Sequence, residues 1–155
     1  MPNLRGFANL ARALANPNYG IYTAGNAVSL IGTWMQRLAV GWLTWKLTSS
    51  FFWVGAMSFA DLAPTVLVGP VAGAAADRWD RLMVTKVSQM LAMAQSILLF
   101  ALVALDWISI GSLLALTLFL GIVTAFNQPA RLALIPSLVR REDLSAAVAI
   151  NSMVF

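Results

Sequence analysis

Two long apolar runs meet at Gly69-Pro-Val-Ala-Gly-Ala-Ala-Ala-Asp-Arg-Trp-Asp-Arg-Leu-Met-Val-Thr-Lys86. There Asp77, Arg78, Asp80 and Arg81 fall within five residues of a chain that is only 10% charged. An ionised side chain at the centre of a membrane span costs about 2.5–3.5 kcal/mol on insertion scales. A charge cluster this compact, pinned between two membrane-length segments, therefore has to be a tight turn at a membrane surface. Composition agrees. Of 155 residues, 60% are hydrophobic and the mean hydropathy is +0.79, whereas soluble domains run at about 45–50% apolar and about 25% charged. The formal net charge is +4, but the bases are spaced between apolar runs instead of gathered on one face or tail, so no nucleic-acid partner is expected. The absence of Cys and His excludes a disulfide framework and thiolate metal sites, and it removes the usual base and metal ligand. No Gly-x-x-x-x-Gly-Lys-Ser/Thr loop occurs for phosphate binding. Neither cofactor nor metal is expected, and the chain does not read as an enzyme.

Taken in order, residues 1–16 read as a short amphipathic segment. Leu4, Phe7, Ala11 and Leu14 recur at helical steps, while Arg5 and Arg12 suit anionic headgroups. Asn16-Pro17-Asn18 breaks it. A first span covers about 21–45, roughly 37 Å at 1.5 Å per residue, enough for the ~30 Å hydrocarbon core. Gly25, Ser29, Gly32 and Gln36 form one small-and-polar face suited to packing on a neighbouring helix. Lys46 with Trp42, Trp45, Phe51, Phe52 and Trp53 marks the far interface. A second span covers about 53–75 and contains Asp61 and Pro64. Gly69-x-x-x-Gly73 is expected to allow close helix approach near its end. A third span covers about 83–105, with Ser88, Ala92, Gln95 and Leu99 on one face. A fourth covers about 108–126, where Thr117, Gly121, Thr124, Gln128 and Arg131 make a polar stripe, and Pro129 is expected to bend or stop this helix. An amphipathic connector with a break at Pro136 follows, and a fifth span begins at about 144, too short to cross a bilayer before Phe155.

The basic residues orient these spans. Arg5, Arg12, Arg78, Arg81, Lys86, Arg131, Arg140 and Arg141 fall on one side, Lys46 alone falls on the other, and Arg37 lies within the membrane. The positive-inside bias therefore expects a cytoplasmic N-terminus. Arg37 on an outward-running helix and Asp61 on the inward-running helix after it sit at nearly the same depth, slightly to the outer side of centre. They are expected to pair or to share a polar cavity, either as a structural ion pair or as part of substrate or proton coupling. Gln36, Ser88, Gln95, Thr117, Thr124, Asn127 and Gln128 supply hydrogen-bonding groups that a purely packed bundle would not need. Gln36 and Gln95 lead the cavity-lining candidates, with Thr124, Asn127, Gln128 and Arg131 behind them. The charged turn has two readings. Arg78, Arg81 and Lys86 could anchor topology while Asp77 and Asp80 cap the next helix. Alternatively, the turn is a conformational latch in which Asp77 gains and loses partners between states, with Arg131, Arg140 and Arg141 emerging on the same side. Four charges in five residues exceed what orientation alone requires, which favours the latch.

The pattern Gly73-x-x-Ala76-Asp77-Arg78-x-Asp80-Arg81 resembles the signature loop between the second and third helices of the major facilitator superfamily. It departs from the commonest form at Ala75, Asp80 and Leu82. The variant Ala-Asp-Arg-Trp-Asp-Arg is similar to the branch of enterobactin-exporter-like permeases, or transmembrane secretion effectors. Ser29-Leu-Ile-Gly-Thr-Trp-Met-Gln-Arg37, Asn127-Gln-Pro-Ala-Arg131 and Ile135-Pro-Ser-Leu-Val-Arg-Arg-Glu-Asp-Leu144, leading to Ala149-Ile-Asn-Ser152, match that branch in order. The resemblance implies an all-α membrane protein, here the first four transmembrane helices and the start of a fifth from a twelve-helix fold. Residues 17–155 would then be part of an N-terminal six-helix half in a bacterial inner membrane. It also implies secondary active transport by alternating access, generally as a proton-driven exporter of siderophores, drugs or other small molecules. By position, Gly73, Asp77, Arg78, Asp80 and Arg81 would be the gating loop. The expected partners are a small-molecule substrate, a proton, the lipid bilayer and the remaining helices of the full transporter. Two other readings stay open. One is a small four-helix protein that oligomerises into a pore or exporter, and the other is a membrane scaffold, for which Arg37 and Asp61 would have no purpose.

Overall fold

The computed structural model describes residues 17–139 together with 147 and 148, except for the side chains of residues 17, 18, 77 and 138. The expected amphipathic segment at 1–16 and most of the fifth span from about 144 lie outside the described residues. Among those described, the chain is all-helical, with α1 at Pro17–Thr48, α2 at Phe51–Arg78, α3 at Arg81–Ala104 and α4 at Ile110–Leu138. Three stretches are long and apolar enough to cross a membrane: Phe51–Ala76, Arg81–Ala104 and Ile110–Ser137. At 32 residues α1 has the length as well, but Gln36 and Arg37 at its middle dilute its hydropathy, and it is not among the three. It is a span by length rather than by composition.

The helix ends follow from local chemistry. α1 stops where Ser49 takes a left-handed φ of 47° and its amide donates to Trp45 O at 2.7 Å. α2 runs on through Asp77 to Arg78, so the turn to α3 is only Trp79 and Asp80. Asp80 Oδ1 accepts from the amides of Leu82 and Met83 at 2.8 and 3.0 Å, satisfying two donors that would otherwise have no partner at the start of α3. Asp80→Ala should therefore destabilise that helix start by about 0.5–2 kcal/mol, read as faster amide exchange at Leu82 and Met83. Exchange at the wild-type rate would show that the cap carries no weight. At the other end of α3, Asp106 sits at φ 55°. The amide of Trp107 donates to Leu102 O at 2.9 Å and that of Asp106 to Val103 O at 3.2 Å, the paired closure of a left-handed helix end. α4 then starts with a reciprocal cap. Ser109 Oγ accepts from the Ser112 amide at 3.2 Å, and Ser112 Oγ accepts from the Ser109 amide at 2.9 Å.

Two expectations are corrected here. α4 neither stops at Pro129 nor gives way to a connector broken at Pro136; it runs through both to Leu138. In an apolar medium a broken helix strands many backbone groups, whereas an internal proline removes one hydrogen bond. The close approach expected at Gly69-x-x-x-Gly73 is also not made among the described residues, since a Cβ built at either glycine meets nothing within 4 Å.

The chain divides into two compact units, one of residues 36–132 and one of residues 1–35 with 133–155. In the second, Tyr19 is buried and its hydroxyl donates to Ala147 O at 3.0 Å. In the first, Met57, Leu99 and Leu113 form a buried cluster packed about by Val40, Leu43, Ile108, Ile110, Leu114 and Leu116. Large apolar side chains stay exposed along every helix, among them Leu38, Phe59, Val66, Phe100 and Phe119, while Thr85, Ser88, Gln95, Thr117 and Arg131 are buried. That inversion of the soluble pattern suits a hydrocarbon surround. Near the α1–α2 connection, Lys46 Nζ lies 5.5 Å from the Trp42 ring centroid, and the Trp45 and Phe51 rings are 4.7 Å apart, an amphipathic belt of the sort found at membrane interfaces.

Candidate functional site

The 36–132 unit holds a polar cluster at the level where α1, α3 and α4 meet. Gln95, buried on α3, accepts at Oε1 from Gln36 Nε2 at 2.9 Å. Its Nε2 donates to Leu116 O on α4 at 3.3 Å. Ser96 Oγ donates to Gln36 Oε1 at 2.8 Å and lies 3.0 Å from Ala92 O. Both functional ends of the Gln36 amide are thus engaged, and one buried glutamine ties three helices together. Beside the cluster, Gln36, Val40, Trp42, Ser96, Leu99 and Phe100 line an open cavity of about 290 Å³. An apolar wall carrying a few convergent polar groups is the usual makeup of a small-molecule site.

One residue further along α1, Arg37 Nε lies 2.8 Å from Asp61 Oδ2 on α2, with side-chain exposures of 34% and 16%. Each charge offsets the other, which lowers the cost of holding both within the span. The backbone beneath Asp61 is held by α4. A Cβ at Gly121 would lie 2.8 Å from Asp61 O, 2.9 Å from Pro64 Cγ and 3.1 Å from Ala60 O, so only glycine allows the two backbones this approach.

The lower stripe of α4 is graded. Thr117 is buried and turned onto its own helix, its Oγ1 donating to Leu113 O at 2.8 Å. Thr124 and Asn127 are half-buried, Gln128 is exposed, and Arg131 is buried. Asn127 Oδ1 is buried with no hydrogen-bond partner among the described residues. Gln128 thus points away from the surface that Arg131 shares with the core, and the stripe splits into an inward and an outward part.

At the charged turn, Arg78, Asp80 and Arg81 are exposed, Gly73 faces open space, and the Asp77 side chain lies outside the described residues. The Trp79 ring stacks on Phe126 of α4, with centroids 6.4 Å apart and planes 16° from parallel. These two rings wall an apolar cavity of about 430 Å³ whose polar lining is Asp80 and Ser88. Sequence reasoning did not single out Ser96, although it lies four residues past Ala92 on the face already assigned to Ser88, Ala92 and Gln95. It also missed the seat of Gly121 against the Pro64 turn, for which a proline mid-span facing a glycine mid-span was the available signal.

Membrane-length helices, apolar exterior faces and a hydrogen-bonded polar interior define a multi-pass membrane protein. Residues 10–155 match the model of the transmembrane secretion effectors, and the chain belongs to that family of major facilitator permeases. It is similar to the staphyloferrin A transporter of Staphylococcus aureus (strain NCTC 8325 / PS 47), with 27% identity over 127 residues that make up 80% of this chain and 32% of the relative. The chain therefore spans about a third of the length of the curated relative it matches. No solved structure matches it.

Proposed function

We propose that the chain is the N-terminal portion of a secondary active exporter that moves small molecules such as siderophores or drugs by alternating access, driven by a proton gradient. The observation that carries this reading is the polar interior. Gln36, Gln95 and Ser96 hydrogen-bond across membrane-length helices, and the Arg37–Asp61 pair lies beside them. A bundle that only packs could be built from Leu and Ala, whereas a solute path requires hydrogen-bonding groups. The name of the staphyloferrin A transporter is in keeping with a small polar solute. In this reading the protein lies in a bacterial plasma membrane with the N-terminus cytoplasmic, as the distribution of bases favours, and the remaining helices of the transporter complete the path.

The turn after α2 acts as the gate. Asp80 serves as a helix cap, which leaves the changing contacts of the latch to Asp77, Arg78 and Arg81, with Gly73 one turn behind. Everted membrane vesicles carrying the full-length protein should accumulate a radiolabelled siderophore or a fluorescent drug when an acid-inside gradient is imposed, and should stop when the gradient is collapsed. Accumulation indifferent to the gradient would remove the proton from the mechanism. Vesicles no better than controls for every solute tried would contradict export.

A further inference from the structure

We propose that Gly121 is a positioning residue for the Arg37–Asp61 pair, acting through the Pro64 turn of α2. Pro64 sits inside α2 and has no N–H, so the carbonyl of Ala60, four residues earlier, has no helical donor. Gly121 packs on that same turn. What a methyl at 121 would meet is mostly backbone, at 2.8 Å for Asp61 O and 3.1 Å for Ala60 O, with Pro64 Cγ at 2.9 Å. A flexible side chain could swing aside, but carbonyls inside a helix cannot move without carrying their residues with them. Asp61 is one of those residues, and its carboxylate is the group held 2.8 Å from Arg37 Nε. Among the other glycines from 25 to 111, Gly111 has only Ser109 Oγ, at 4.0 Å, and Gly25, Gly32, Gly41, Gly55, Gly69 and Gly73 meet nothing within 4 Å.

The consequence is a mechanical link from α4 to the ion pair. Any sliding of α4 on α2 at Gly121 moves the backbone of Asp61 and opens or closes its contact with Arg37. The use of that link in transport rests on the function proposed above, whereas the link itself does not, and the two are tested separately.

The chain contains no Cys, so a thiol pair can be read against no background in it. The full-length protein, with any Cys outside this chain replaced and carrying Arg37→Cys and Asp61→Cys, is assembled in membranes and treated with a short bifunctional thiol reagent, and the rate of intramolecular crosslinking is followed. Adding Gly121→Ala should slow crosslinking at least about fivefold, adding Gly111→Ala should leave it unchanged, and combining Gly121→Ala with Pro64→Ala should leave it slowed, because Asp61 O stays where the methyl meets it. If Gly121→Ala crosslinks at the parent rate, Gly121 does not position Asp61. Recovery of the parent rate on adding Pro64→Ala would put the clash on the proline ring and not on the Asp61 backbone, and would overturn the proposal. Should the Gly121→Ala protein fail to accumulate in membranes, crosslinking is followed in protein made by cell-free synthesis into preformed bilayers, where the same outcomes decide the matter.

Discussion

Asp61→Asn should lower the amount of folded protein and reduce transport by at least about tenfold. The substitution leaves the Arg37 guanidinium in the span facing a neutral amide. Removing one partner of a buried pair costs about 3–5 kcal/mol. With 34% of the Arg37 side chain and 16% of the Asp61 side chain exposed, the pair is incompletely buried and the cost is about 1–3 kcal/mol. Neutralising both groups, Arg37→Gln with Asp61→Asn, removes the uncompensated charge, so the double variant should regain the wild-type abundance. The two readings of the pair separate at this point. A structural ion pair predicts that transport returns together with abundance, and a pair used in coupling predicts abundance without transport. The proposed function requires the second result, measured as vesicle uptake per unit of immunodetected protein.

Gln95→Leu should produce the next largest loss. Gln95 is buried and makes bonds to Gln36 and to the Leu116 carbonyl. Leucine matches its bulk but leaves Gln36 Nε2 without its acceptor, at a cost of about 1–3 kcal/mol for a buried donor left unmade. Replacing Gln36 as well, by Gln36→Leu, should return part of that stability, because removing both partners of a hydrogen bond can be nearly neutral. Transport should not return, since the path would then be apolar at this level. Thermal inactivation in detergent reads the first effect and vesicle uptake the second. Single and double variants of equal stability would show that the glutamine pair contributes nothing to holding α1 against α3.

Much of this was legible in the sequence, and the part that was not has identifiable causes. Helix count and type follow from apolar runs longer than a bilayer, and the cap at Asp80 follows from an aspartate directly before an apolar periodic run. That Arg37 and Asp61 come together follows from depth, because two helices joined by a short turn place residues equidistant from that turn at the same level. Depth says nothing of azimuth, so the split between Gln128 and Arg131 could not be read from it, whereas Ser96 lay on a face the sequence had already marked. Prolines were over-weighted. Pro129 reads as a bend or a stop and Pro136 as a break, but α4 continues through both to Leu138, since an internal proline removes one hydrogen bond and leaves the others of the helix in place. Small residues were over-read in the same way. Gly69 and Gly73 looked like a packing face, while the one glycine seated against another backbone in the 36–132 unit is Gly121. That contact depends on a proline in a different helix, a pairing that no single helical wheel displays.

The central claim is that the Gln36–Gln95–Ser96 cluster faces water in the path of a solute. The chain has no Cys, so with any Cys outside it replaced, the full-length protein can carry Gln36→Cys or, as a control, Phe59→Cys, whose native side chain is exposed on the apolar surface of α2. A charged, membrane-impermeant thiol reagent reacts only with thiols that water reaches. The account predicts that the Gln36→Cys protein is labelled at least about tenfold faster than the Phe59→Cys protein, and that imposing a proton gradient changes the Gln36→Cys rate. Equal, slow labelling at both positions, with or without the gradient, would contradict it.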